Sequence, residues 1–74
     1  MFNQNRFKRG MLAILWDGKG TLSWEEISYL AVQFFEFPKD GNYLQIRGVI
    51  QELINENAIE RTNDVHNENY TLAR

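Results

Sequence analysis

The sequence predicts an α+β fold: three helices followed by a C-terminal β-hairpin, all within one domain over residues 1–74. Three observations carry this. Apolar residues recur at helical spacing in three separate segments. Clusters of glycine, proline and asparagine punctuate the chain between and after them. Beyond the third segment the spacing shifts towards period two, over about residues 58–62 and 70–73. The length fits one domain. So short a chain buries a modest share of its surface and needs a dense core. Hydrophobic residues at 43% and aromatics at 14% can supply it, which is unlike a disordered chain.

The first helix is expected over about 5–16. Phe7, Met11, Ile14 and Leu15 stand at i, i+4, i+7 and i+8 and form one apolar stripe. Gly10 and Ala13 are small and share a side that another backbone could approach. Asp17-Gly18 ends the helix. Thr21-Leu22 can form a very short strand. The second helix is expected over about 24–36. Ser23-Trp24-Glu25-Glu26 reads as a capping box, in which serine and glutamate satisfy each other's backbone N–H groups. Trp24, Ile27, Leu30, Ala31, Phe34 and Phe35 cover its apolar arc. Phe37-Pro38 stops it, because the residue before proline avoids the α region. The third helix is expected over about 43–55. Asn42 to Gln45 reads as a second capping box. Tyr43, Ile46, Val49, Ile50, Leu53 and Ile54 form its buried stripe. Asn55 or Asn57 can end it, since asparagine tolerates the left-handed conformation. In the hairpin, Ile59, Tyr70 and Leu72 are expected to face the helices. Asn63 to Asn69 form the loop.

Composition narrows the functions. The chain has no cysteine, so neither disulfides nor thiolate metal sites are available. That fits a reducing compartment, and a cytoplasmic location is expected. The N-terminal residues lack the apolar core of a signal peptide. No apolar run approaches the roughly 18 residues that span a bilayer. Net charge is −2, unevenly spread. Residues 1–24 hold Arg6, Lys8, Arg9 and Lys19 against Asp17, whereas residues 25–74 hold nine acids against four bases. The overall acidity is unlike a strong nucleic-acid binder.

The run VIQELINENAIERTNDVHNENYTLAR resembles the third helix, return turn, first wing strand, polar wing and last strand of the winged-helix superfamily. The glycine turn followed by TLSWEEISYLA is similar to that superfamily's entry into its second helix. This resemblance implies duplex DNA binding, with the third helix in the major groove and the wing over the phosphate backbone. Other members use the same surfaces to bind proteins.

On the outward face of the third helix, Gln45, Arg47, Gln51 and Asn55 are the candidates for base contacts. Their amides and guanidinium suit adenine and guanine edges. Gly48 is costly inside a helix, and close approach of a partner backbone would explain it. Glu52 and Glu56, on or near that face, would repel phosphates. Arg6, Lys8, Arg9, Lys19, Arg61 and Arg74 are the candidates for phosphate contacts, with residues 1–6 as a basic arm. Tyr29, Val32 and Phe37 fall off the apolar arc or in a loop, and are candidates for a protein or homodimer interface. His66 is the lone histidine. With Asp64 and Glu68 it makes a poor metal site. No carboxylate pair stands out for acid–base chemistry. The sequence thus points away from an enzyme, a cofactor, a small-molecule substrate or a membrane. It points to a DNA-binding regulator or accessory factor, of the kind found in phages, plasmids and mobile elements. The other reading is a protein-interaction module with an acidic, aromatic surface.

Overall fold

A computed structural model describes residues 1–62, 66 and 68–73, with the side chain of Lys19 left out. The elements run α1 (Gln4–Ile14), a wider helical turn (Leu15–Lys19), β1 (Thr21–Ser23), α2 (Trp24–Phe34), α3 (Leu44–Asn55), β2 (Ile59–Arg61) and β3 (Asn69–Leu72). The fold is α+β, with three helices and a small antiparallel sheet.

The sheet departs from the expected two-stranded hairpin. It has three strands in the order β1-β3-β2. β3 is central, with Tyr70 opposite Leu22 on one side and Arg61 on the other. A lone extended segment at Thr21–Ser23 would leave its backbone groups without partners, and pairing with β3 satisfies them. Ile59 and Tyr70 are buried and Leu72 packs against the core, as their alternation predicts.

α1 starts earlier than the spacing suggests. Asn3 accepts from the Arg6 backbone N–H at 3.1 Å and caps the helix. Phe2, just outside the cap, packs on Phe7 with ring centroids 5.4 Å apart, a hydrophobic staple. Residues 4–6 therefore belong to α1, and half of the expected basic arm is helical. Gly18 and Gly20 take positive φ (125° and 78°), which glycine adopts freely, and turn the chain into β1.

α2 has the expected capping box: Glu26 N–H donates to Ser23 Oγ, and Ser23 N–H to Glu26 Oε1, each at 3.1 Å. The helix ends at Phe34, before the expected boundary near 36, because Glu36 turns left-handed (φ 62°). That turn drives Phe37 inward. Phe37 is 3% exposed, and Phe34, assigned to the core by spacing, is 64% exposed. The two residues exchange roles because the chain reverses between them.

α3 buries Ile46, Val49, Ile50 and Leu53. The expected capping box at Asn42 is not formed. Asn42 Oδ1 instead accepts from the Leu44 N–H at 3.0 Å, and the helix has no reciprocal partner there. Asn57 does terminate the helix. It is left-handed (φ 61°), Asn57 N–H reaches Ile54 O and Ala58 N–H reaches Leu53 O, the paired bonds of a Schellman cap. Gly10 meets an aromatic ring and no backbone. A Cβ there would lie 2.3 Å from the Phe35 ring.

Phe37→Ala removes a buried ring and is expected to cost about 3–5 kcal/mol, close to the whole stability of so small a domain. Phe34→Ala should change stability by about 0.5 kcal/mol or less. Urea denaturation followed by circular dichroism separates the two, and equal effects would reverse the assignment of core and surface.

Candidate nucleic-acid interface

The outward face of α3 follows from what the helix buries. With Ile46, Val49, Ile50 and Leu53 inside, Leu44, Gly48, Gln51 and Asn55 run along the opposite side at i, i+4, i+7 and i+11. Gln45 and Glu52 flank this line on one side and Arg47 on the other. Leu44 is 70% exposed. Sequence reasoning left it out because it favoured polar residues, although its place on the helical wheel was available.

Arg47 is not a free guanidinium. It donates to both carboxylate oxygens of Glu68, at 2.6 and 3.4 Å. Its plane also lies 4.0 Å from the centroid of Trp24, a cation–π stack. The Tyr70 hydroxyl donates to Glu68 at 2.7 Å. Arg47 first, and Tyr70 second, hold the Glu68 carboxyl below the usual carboxylate range. Burial first, and the Glu68 carboxylate second, push the Tyr70 hydroxyl up to about 12.

Lys8 is likewise engaged. Its ammonium is 2.6 Å from Glu52 and 3.1 Å from Glu56, so α1 is tied to α3. The bonds to Glu52 and then Glu56 raise its pKa, against the opposing effect of burial. The free-phosphate-contact reading of Lys8 is corrected accordingly: its charge faces two carboxylates of this chain. The same pairing offsets one of the two negative charges that made the α3 face unfavourable to phosphates.

The uncharged amides remain. Gln51 Nε2 donates to Asn55 Oδ1 at 3.0 Å. The pair fixes both side chains and leaves the Gln51 oxygen and the Asn55 nitrogen outward. Gln45 is exposed beside them. Beyond its chain neighbours and its own helix backbone, no described atom lies within 4 Å of where a Gly48 Cβ would stand, and its φ is not positive. Neither packing nor backbone geometry requires glycine there.

Between α3 and the sheet lies a cleft of about 230 Å³, lined by Arg47, Ile50, Gln51, Ile54, Arg61 and Tyr70. Arg61 is exposed at its edge, with no ion pair among the described residues. Arg6 and Arg9 are exposed on α1. Arg74, the Lys19 side chain and residues 63–65 and 67 lie outside the described residues. Of the three candidate interface residues, Tyr29 is 61% exposed and Val32 is half-buried. Phe37 is core, stacked between Phe2 and Tyr43, and so cannot meet a partner.

Among the described residues, no three His, Asp or Glu side chains group to hold a metal ion, and no helix is long and apolar enough to cross a membrane. The chain matches no protein-family model, no curated protein and no solved structure.

The Glu68 network makes stability depend on pH at both ends. A carboxyl lowered in the fold contributes stability above its unfolded pKa and loses it as pH falls through the folded value. A hydroxyl raised in the fold contributes below its unfolded pKa and loses it as pH rises through about 12. Thermal melts should therefore fall on acidification below the ordinary carboxylate pKa of about 4.5, and again above pH 10. Glu68→Gln should flatten the acid limb and Tyr70→Phe the alkaline one. Unchanged limbs would show that the network is not formed in solution.

Proposed function

We propose that this chain is a winged-helix domain that binds duplex DNA through the outward face of α3. The element order, with two helices after β1 and a strand pair after α3, supports the resemblance in its sequence. The single observation that carries the reading is Gly48. A glycine inside an exposed helix costs about 1 kcal/mol relative to alanine, and nothing in the chain itself calls for it. A backbone passing close to α3 supplies the reason. Around it stand Gln45, Gln51 and Asn55, whose amides suit adenine edges, and Leu44, which suits a thymine methyl.

Binding of this kind depends little on charge. Arg47 and Lys8 are already matched by carboxylates, and Arg61, which has no ion pair among the described residues, also borders the α3 cleft. Arg47 is accordingly read as the residue that positions α3, and the amides as the readers. A second reading, in which the same face binds a protein, is favoured by the net charge of −2.

Fluorescence anisotropy with labelled duplex pools tests the proposal. Micromolar binding at about 50 mM salt should weaken only about twelvefold by about 200 mM, as expected for roughly two phosphate contacts. Gly48→Ala should stabilise the fold by about 0.5–1 kcal/mol yet bind at least about tenfold more weakly. Undiminished binding by Gly48→Ala would overturn the assignment of the face. No binding at low salt would give the face to a protein partner.

A further inference from the structure

A second surface, which shares no lining residue with the α3 cleft, lies between α1, β1 and α2. An apolar groove of about 480 Å³ is lined by Ile14, Leu22, Tyr29 and Leu30, with Glu25 and Glu26 at its rim. Leu22 comes from β1, and the two glutamates open α2. At the other end of α2 stands Phe34, 64% exposed and with no aromatic neighbour among the described rings. Phe34 follows Leu30 by one turn, so both lie on the same side of the helix, about 6 Å apart along its axis.

That end of α2 is also where positive charge gathers. The Glu36 carboxyl is held below its usual range first by the N-terminal amine and then, more weakly, by the charge of Arg6. Arg6 stands near the C-terminal end of α2, because the next residue, Phe7, packs on the C-cap residue Phe35 with ring centroids 5.2 Å apart, while Glu25 and Glu26 mark its N-terminal end. One end offers an aromatic plug beside a guanidinium. The other offers an apolar socket beside two carboxylates.

We propose that two copies of this chain pair through this face, with their α2 helices antiparallel about a two-fold axis at Leu30. Such an axis sets residue 34 of one helix over residue 26 of the other. Each Phe34 then enters the groove bounded by Ile14, Leu22 and Leu30 of its partner, and each Arg6 approaches the partner's Glu25. The contact is self-complementary, as a two-fold interface must be. It combines a buried aromatic anchor with opposite charges at the rim. The α3 faces stay free on both copies.

Sedimentation equilibrium of the purified full chain tests this. The wild type should show a monomer–dimer equilibrium with Kd on the order of tens of micromolar, as suits a small interface. Phe34→Ser should weaken it at least about tenfold. Arg6→Glu and Glu25→Arg should each weaken it, and the double reversal should recover most of the loss, which a change in fold alone would not do. Circular dichroism of each variant should match the wild type. A chain that stays monomeric up to about 1 mM, as expected of a groove that takes a foreign partner, would overturn the proposal. So would a dimer indifferent to Phe34→Ser, or charge reversals that fail to rescue one another.

Discussion

The ion pair between Arg47 and Glu68 is the contact on which the arrangement of α3 depends. It joins the first turn of the helix to the start of the central strand, across 21 residues of sequence. Tyr70 braces the carboxylate from the strand, and Trp24 braces the guanidinium from α2. α3 lacks a capping side chain at Tyr43, so this clamp supplies part of the fixation that a cap gives elsewhere. A solvent-exposed pair alone contributes little. A pair held bidentate, stacked and braced is a network, and networks can exceed the sum of their parts.

The aromatic residues extend the clamp through the domain. Phe35 meets Phe7, Phe7 meets Phe2, Phe2 meets Phe37, Phe37 meets Tyr43, and Tyr43 meets Trp24. A continuous line of ring contacts thus runs from the end of α2 to the guanidinium of Arg47. Aromatic pairs offset or edge-on add to simple burial, and a core this small gains from each. This accounts for the high aromatic content without assigning most of it to a partner. Phe34, Tyr29 and Trp16 remain outside the line and are exposed.

Much of this was legible in the sequence, for local reasons. The stripe of α3, the capping box at Ser23 and the left-handed Asn57 each depend on residues within about three helical turns of one another. The inward faces of Ile59, Tyr70 and Leu72 follow from alternation. Phe34 and Phe37 were misplaced because their burial is decided by the reversal at Glu36, and a glutamate carries no signal for a left-handed turn. The free cations were overcounted for a different reason. Lys8 finds Glu52 and Glu56 more than 40 residues away, and Arg47 finds Glu68 21 residues further on. Such pairings come from topology, which spacing along the chain does not reveal. Thr21-Leu22 is legible as a very short strand, but its partner β3 lies some 50 residues on. The α3 amides were visible in the sequence, while the pairing of Lys8 with Glu52 and Glu56 was not.

The central claim is that Arg47 holds α3 in place through Glu68. A double-mutant cycle on stability measures it most directly, with Arg47→Met, Glu68→Gln and the pair together, each followed by urea denaturation. Allowing for solvent screening of a partly exposed pair, the account predicts a favourable coupling of about 1 kcal/mol. Additive single effects, with no coupling, would mean that Arg47 does not depend on Glu68, and that its charge is available on the α3 face after all.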